Sequence, residues 1–300
     1  MPRRLLPPAA DRPRRGPARG QHVTDDTPRA LLDLACDTAM EAGRMLAAQR
    51  PPGRSGRPEV TSTKSSPTDV VTEMDRAAEV LITERLRARR PDDAFLGEES
   101  GESGQGRVRW VIDPLDGTVN YLYGLADWAV SIAAEVNGTP VAGVVTVPAH
   151  DEVFAAVLGE GAWLLTGDAA PVSLRCNTGV ALAQALVATG FGYAAARRTV
   201  QGEVVAAVLP RVRDIRRGGS AAVDLCSVAA GRVDAFYERG LNHWDYAAGG
   251  LIAAEAGARL GGLAGRPATT EMTIAAEPLL FGQLRDLLAS LHPDRDASEQ

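Results

Sequence analysis

The stretch Trp110-Val-Ile-Asp-Pro-Leu-Asp-Gly-Thr118 decides how the rest of the chain is read. Its apolar run, Trp110 to Ile112, leads into Asp113, which places an acid at the carboxyl end of a strand, where open sheets build their sites. Pro114 fixes φ and Gly117 permits a tight backbone, so Asp113 and Asp116 turn toward one point. Gly117 and Thr118 then open a short helix through Tyr123, whose free N–H groups can receive a phosphate oxygen.

Two carboxylates beside an anion site would repel the anion. A divalent cation resolves the conflict, because Mg2+ prefers oxygen ligands, keeps waters and bridges carboxylate to phosphate. Three further segments concentrate acid: Thr72-Glu73-Met74-Asp75, Gly97-Glu98-Glu99-Ser100 after the apolar run Ala94-Phe95-Leu96, and Trp244-Asp245. Taken singly, each has an ordinary explanation. A Glu-Glu pair is a solvated turn, Asp245 before Tyr246 is a helix cap, and Asp-Pro-x-Asp-Gly is turn chemistry. Their joint occurrence points to a metal-dependent site.

Composition leaves carboxylate as the available chemistry. The 300 residues hold 38 Asp plus Glu against 32 Lys plus Arg, a formal net charge of −6 that argues against broad nucleic-acid binding. Cys36, Cys176 and Cys226 lie far apart with no CxxC pairing, and His22, His150, His243 and His292 never fall at HxxxH spacing. That excludes a disulfide scaffold, a thiolate zinc finger and a zincin helix, and makes zinc the poorer metal. No run of about 18 uncharged apolar residues is present to span a membrane. Residues 1–28 carry six arginines and six prolines without the apolar stretch a secretory signal needs. The expectation is a disordered basic arm on a cytoplasmic protein, with an RNA or partner contact, or a misplaced start codon, as lesser alternatives.

Apolar periodicity predicts helices over 28–50 and from about Val71 to Arg90, with a loop over 54–67 that is a candidate lid. Short strands follow at 94–96, 109–112, 129–136, 141–147, 153–158 and 162–165, with hairpins at Asn137-Gly138 and Gly159–Gly161. Past Pro171 helix and strand alternate. The pattern predicts a helix pair with an antiparallel sheet over 29–170, an α/β half over 171–292 and a tail over 293–300.

With the motifs in place, the chain resembles the inositol monophosphatases of the Mg2+-dependent, Li+-sensitive sugar-phosphatase superfamily. Trp110–Gly124 and Trp244–Gly257 are similar to the two family signatures, and Lys64–Asp75 and Gly97–Ser100 match two further blocks in order and spacing. The resemblance implies a layered αβαβα sandwich, a homodimer, and two or three Mg2+ per active site. It implies that Glu98, Asp113 and the Leu115 carbonyl hold one ion, that Asp113, Asp116 and Asp245 hold another, and that Glu99 stands behind these ligands without touching the metal or binds it through water. Asp75, Thr118 and Glu98 would activate the attacking water, while the Gly117 and Thr118 N–H groups cradle phosphate. Ala221, Glu238 and Asp245 would meet substrate hydroxyls, with Asp224 and the loop 189–193 as weaker candidates.

The implied reaction is hydrolysis of myo-inositol 1-phosphate or a related polyol or sugar phosphate. Histidinol-phosphate phosphatase and fructose-1,6-bisphosphatase share the frame and remain alternatives. A regulatory protein binding RNA or the transcription machinery is the alternative from another class. The basic stretch Arg211–Arg217 reads as a solvated strand edge near a subunit contact, with contact to a second phosphate as the other reading.

Overall fold

The computed structural model describes residues 25–50, 60–63 and 70–295. Helix α1 (Pro28–Gln49) forms because Leu31, Leu32, Ala35, Ala39, Ala42 and Leu46 recur on one face and bury it. Pro28 pre-sets φ in the first turn, and Thr27 caps it by accepting from Ala30 N at 3.4 Å. Asp26 pairs with buried Arg90 at 2.5 Å, so Asp25–Thr27 belong to the folded body and not to the arm expected to run through residue 28. The rest of that arm lies outside the described residues.

Strand β1 (Val60–Thr63), inside the segment expected as a loop over 54–67, pairs antiparallel with β2 (Val70–Thr72). Helix α2 (Glu73–Arg89) therefore opens at Glu73 and not near Val71, since Val70–Thr72 are already hydrogen-bonded to β1. Most of the candidate lid over 54–67 lies outside the described residues.

The large sheet contains β3 (Ala94–Gly97), β4 (Gly101–Ser103), β5 (Val108–Asp116), β6 (Ala129–Val136), β7 (Thr139–Val147), β8 (Glu152–Val157), β9 (Gly161–Thr166) and β10 (Val172–Ser173). Its order is β10-β9-β8-β7-β6-β5-β3-β4. Neighbours run antiparallel except β3 and β5, which are parallel and bring Glu98, just past the end of β3, and Asp113 and Asp116, at the end of β5, to the same edge. In the β6–β7 turn Asn137 and Gly138 both have positive φ, 54° and 77°, the geometry a two-residue hairpin requires. The edge strands β4 and β10 are too short to show alternation in sequence.

The second sheet has the order β12-β11-β13-β15-β14, built from β11 (Leu186–Thr189), β12 (Asp214–Arg216), β13 (Ala235–Glu238), β14 (Arg259–Gly261) and β15 (Thr273–Ala276). Period-two burial assigns the layers. Trp110 and Ile112 face α1 and α2, whereas Val111 and Ala133 face α5 (Ala221–Ala229) and α6 (His243–Glu255). The other side of α5 and α6 meets the second sheet at Ala188, Phe236 and Ala275. Helices α4 (Ala195–Val208) and α7 (Pro278–Ser290) close the far face over Val187, Ala235 and Ile274. The result is the αβαβα sandwich. Helix α6 approaches β7 closely because Gly143 has no side chain, and a Cβ there would lie 3.1 Å from Ala248 Cα. Among the described residues no helix is long and apolar enough to cross a membrane.

Candidate functional site

Asp113 and Asp116 stand three residues apart on β5, a spacing that puts side chains on opposite faces of a regular strand. A bulge removes the conflict. Asp113 pairs with Ser131 and Asp116 with Ala129, so three steps on β5 oppose two on β6. Pro114, with no N–H to give the ladder, sits inside the bulge. Both carboxylates consequently line one cavity of about 500 Å³. Glu98 and Asp245 line it too, as do Leu115, Gly117 and Thr118 of the strand-to-helix turn.

The turn carrying Glu98 is held from α2. Buried Glu79 accepts hydrogen bonds from Glu99 N and Ser100 N, both at 2.8 Å. Four residues earlier on the same helix face, buried Asp75 accepts from Thr118 Oγ1 at 2.9 Å. Thr118 Oγ1 also lies 3.1 Å from the Leu115 carbonyl, and Leu115 N donates to Asp113 Oδ1 at 3.1 Å. Helix α3 (Thr118–Tyr123) starts at Gly117, whose φ of 88° needs glycine.

Two other carboxylates are fixed by helix starts. Asp116 Oδ2 receives Ser220 Oγ at 2.6 Å and Ala222 N at 2.7 Å, which ties β5 to α5. Asp245 occupies the third position of α6 in a capping box with Asn242, accepting from Asn242 N at 2.6 Å. The cap and the cavity wall are the same carboxylate.

Burial and the negative charges of Glu98, Asp116 and Asp245 push the Asp113 carboxyl well above its usual range. Burial raises Asp116 as well, against the hydrogen bonds from Ser220 and Ala222. Asp245 is raised by burial, then by Glu98 and Asp116. Such a cluster of buried like charges calls for a counter-cation. Its donors are all oxygen, which suits a hard divalent ion such as Mg2+ better than zinc. Among the described residues no group of three His, Cys, Asp or Glu side chains is already arranged to hold a metal ion.

Across the same cavity lie Ala221 and Glu238. Burial, Asp224 and Asp116 push Glu238 up to about 8, with Arg217 acting in the opposite sense. Of the remaining candidates, the loop Gly190–Tyr193 lines the cavity, while Asp75 stands behind Thr118. Glu99 is placed on the turn that Glu79 holds, outside the cavity lining. The N–H groups of Gly117 and Ala221, expected to face phosphate and substrate, also approach the Asp116 carboxylate. Lys64 to Asp69 of the family block lie outside the described residues.

Sequence reading missed Glu79, Ser220 and Asn120. Glu79 was signalled by its i, i+4 spacing from Asp75, and Ser220 by its place before α5, where it caps Val223 N at 3.3 Å. Asn120 gave no signal. Its Nδ2 reaches the Asp127 carbonyl at 2.5 Å and the Gly218 carbonyl at 2.9 Å, joining α3 to the loop before α5.

A family model described as the inositol monophosphatase family matches residues 28–298. Inositol-1-monophosphatase SuhB of Mycobacterium tuberculosis is 47% identical over 247 residues, covering 79% of this chain and 85% of that protein. A Nus factor SuhB of Pasteurella multocida is 41% identical over 230 residues, 76% of this chain and 83% of that protein. The solved structure of Mycobacterium tuberculosis SuhB superposes with a TM-score of 0.76 at 42% identity, covering 90% of this chain and 100% of that one. Inositol monophosphatase from Anabaena gives 0.74 at 31% identity, with coverages of 88% and 97%. These findings support phosphatase activity, and the chain belongs to the inositol monophosphatase family.

Proposed function

We propose that this chain is a Mg2+-dependent phosphomonoesterase hydrolysing myo-inositol 1-phosphate or a related polyol phosphate. One observation carries the reading: Glu98, Asp113, Asp116 and Asp245, from three separate segments, line a single cavity that Glu238 and Ala221 line as well. Glu98, Asp113 and the Leu115 carbonyl would hold one ion, and Asp113, Asp116 and Asp245 a second. A divalent cation held by these groups would offset the carboxylate charge and would supply Lewis acidity toward phosphate and water.

The chain's own groups then do the rest. Thr118 Oγ1, donating to Asp75, keeps its lone pairs turned outward to accept a hydrogen bond from the attacking water. Asp75 receives the proton that passes through Thr118, and Glu98 orients the water from the facing turn. The Gly117 and Thr118 N–H groups bind phosphate oxygens as charge builds there. Glu238 and the Ala221 backbone bind hydroxyls of the leaving group, and a site so built rejects analogues lacking those hydroxyls. Homodimer formation, Li+ sensitivity and a cytoplasmic location accompany this reading.

Relatives named Nus factor SuhB favour a second role in transcription. The cavity and its full carboxylate set favour hydrolysis. Phosphate release from inositol 1-phosphate and histidinol phosphate, with Mg2+ and with EDTA, tests the proposal. The expected result is Mg2+-dependent release, strongest on the inositol ester and suppressed by millimolar Li+. No release from any polyol or sugar phosphate would leave only the transcription role.

A further inference from the structure

Two loops that line the cavity start side by side. Strands β11 and β13 run parallel with Thr189 opposite Tyr237, so the chain leaves both at the same edge, as the loops 190–193 and 238–242. Gly190 packs against the Glu238 carboxylate, and a Cβ there would collide with it. Beyond the strand ends the ladder stops, and backbone groups turned inward need other partners. Gln201 of α4, only 8% exposed, supplies one to each loop. Its Oε1 accepts from Gly192 N at 2.9 Å, and its Nε2 donates to the Arg239 carbonyl at 3.4 Å. One turn earlier on the same helix face, Arg197 lies between the same two loops. A Cβ on Gly192 would stand 2.8 Å from Arg197 Cδ, and one on Gly240 2.5 Å from Arg197 Nη1.

Gln201 stands behind the cavity lining and not in it. A side-chain amide serves a donor and an acceptor at once from one planar group, so it sets their separation. The bridge is also braced. Val200 and Val204 beside it are buried in the core, and Arg239 Nη1 donates to the Arg295 carbonyl at 2.7 Å while Arg295 pairs with Glu203, two residues on from Gln201. The phosphate end is held by bonds of its own, Asp116 by Ser220 and Ala222 and Asp245 by its cap with Asn242. We propose that Gln201 is a positioning residue for the leaving group: its amide fixes the spacing of the two loops, and with it the place of Glu238 relative to substrate hydroxyls. This rests on the phosphomonoesterase reading above.

The test is steady-state hydrolysis of inositol 1-phosphate with Mg2+ by the wild type, by Gln201→Met and by Gln201→Glu. Methionine keeps the length of the side chain without its amide, and glutamate keeps only the acceptor for Gly192 N. Inorganic phosphate, which needs the phosphate end alone, is run as a competitive inhibitor. Gln201→Met should raise KM for the ester about tenfold, with kcat within about twofold of the wild type and the Ki of phosphate unchanged. Gln201→Glu should fall between Gln201→Met and the wild type. A wild-type KM in Gln201→Met overturns the positioning role. A phosphate Ki that rises as much as KM overturns it too, since a general loosening of the fold would move both. If Gln201→Met fails to fold, Gln201→Glu decides by the same two constants, and a wild-type KM there overturns the role. A wild type that releases no phosphate from inositol 1-phosphate removes the inositol-ester reading and this inference with it.

Discussion

Ser220 Oγ lies 2.6 Å from Asp116 Oδ2 and at the same time caps α5 by accepting from Val223 N. One hydroxyl thus fixes a helix start and the orientation of a proposed metal ligand. Ser220→Ala should cost about 1 kcal/mol of stability through the lost cap. It should also raise the Mg2+ concentration for half-maximal activity several-fold, and Ser220→Thr should restore both. Thermal unfolding and a Mg2+ titration check this, and an unchanged Mg2+ midpoint in Ser220→Ala would separate Asp116 from the cap.

Glu79 touches no substrate but accepts both N–H groups of the turn that carries Glu98. Gly97 has to remain glycine beneath it, since a Cβ there would stand 2.5 Å from Glu79 Oε1. Glu79→Gln retains one acceptor and should lower kcat about tenfold. Glu79→Ala leaves two donors unsatisfied and should destabilise the fold by about 2–3 kcal/mol. Steady-state rates beside urea unfolding distinguish the two effects. Wild-type kcat in Glu79→Gln would show that the turn holds itself.

Burial and neighbouring carboxylates push Glu238 and Asp224 each up to about 8, from 4.5 and 3.8. An acid so raised keeps its proton in the folded state where the unfolded chain has lost it, so stability falls as pH rises. The metal-free protein should therefore lose thermal stability from about pH 5 to pH 8. Glu238→Gln should flatten that slope. Thermal unfolding in EDTA across the interval is the measurement, and a Tm that rises with pH contradicts the assignment.

Glu135 has the opposite sign. Burial works to raise its carboxyl, but hydrogen bonds from His243 at 2.5 Å and from Arg109 at 2.8 Å outweigh it and hold the group below its ordinary value. Its contribution is present at neutral pH and is lost as pH falls through the depressed value. Glu135→Gln should cost about 3 kcal/mol at pH 7 and less below pH 4. Urea unfolding at the two pH values reads the difference.

How much was legible in sequence depended on whether a residue announced itself locally. Asp113, Asp116 and Glu98 follow apolar strand runs and carry Gly or Pro beside them, so position and chemistry were readable together. The helix pair with its antiparallel sheet, and the alternating half after it, were read from helix and strand periods, whereas the five layers were implied by the family resemblance. What sequence could not give was set by pairing partners far along the chain. The β5 bulge depends on register with β6, and β1 is a strand only because β2 lies beside it. Asn120 matters because Gly218, 98 residues away, folds against it. Arg197 lies on a helix face with no motif and reaches the cavity because Gly192 and Gly240 leave room.

On the proposed function, Asp113 serves metal-dependent chemistry and not the fold. Its buried carboxyl is opposed by the charges of three neighbours, so removing its charge relieves repulsion. Asp113→Asn, assayed for phosphate release from inositol 1-phosphate across a Mg2+ titration and for thermal unfolding in EDTA, tests this most directly. The expected result is turnover lower by orders of magnitude at every Mg2+ concentration, with a Tm equal to or above that of the wild type. Near-wild-type, Mg2+-dependent turnover in that variant would contradict it.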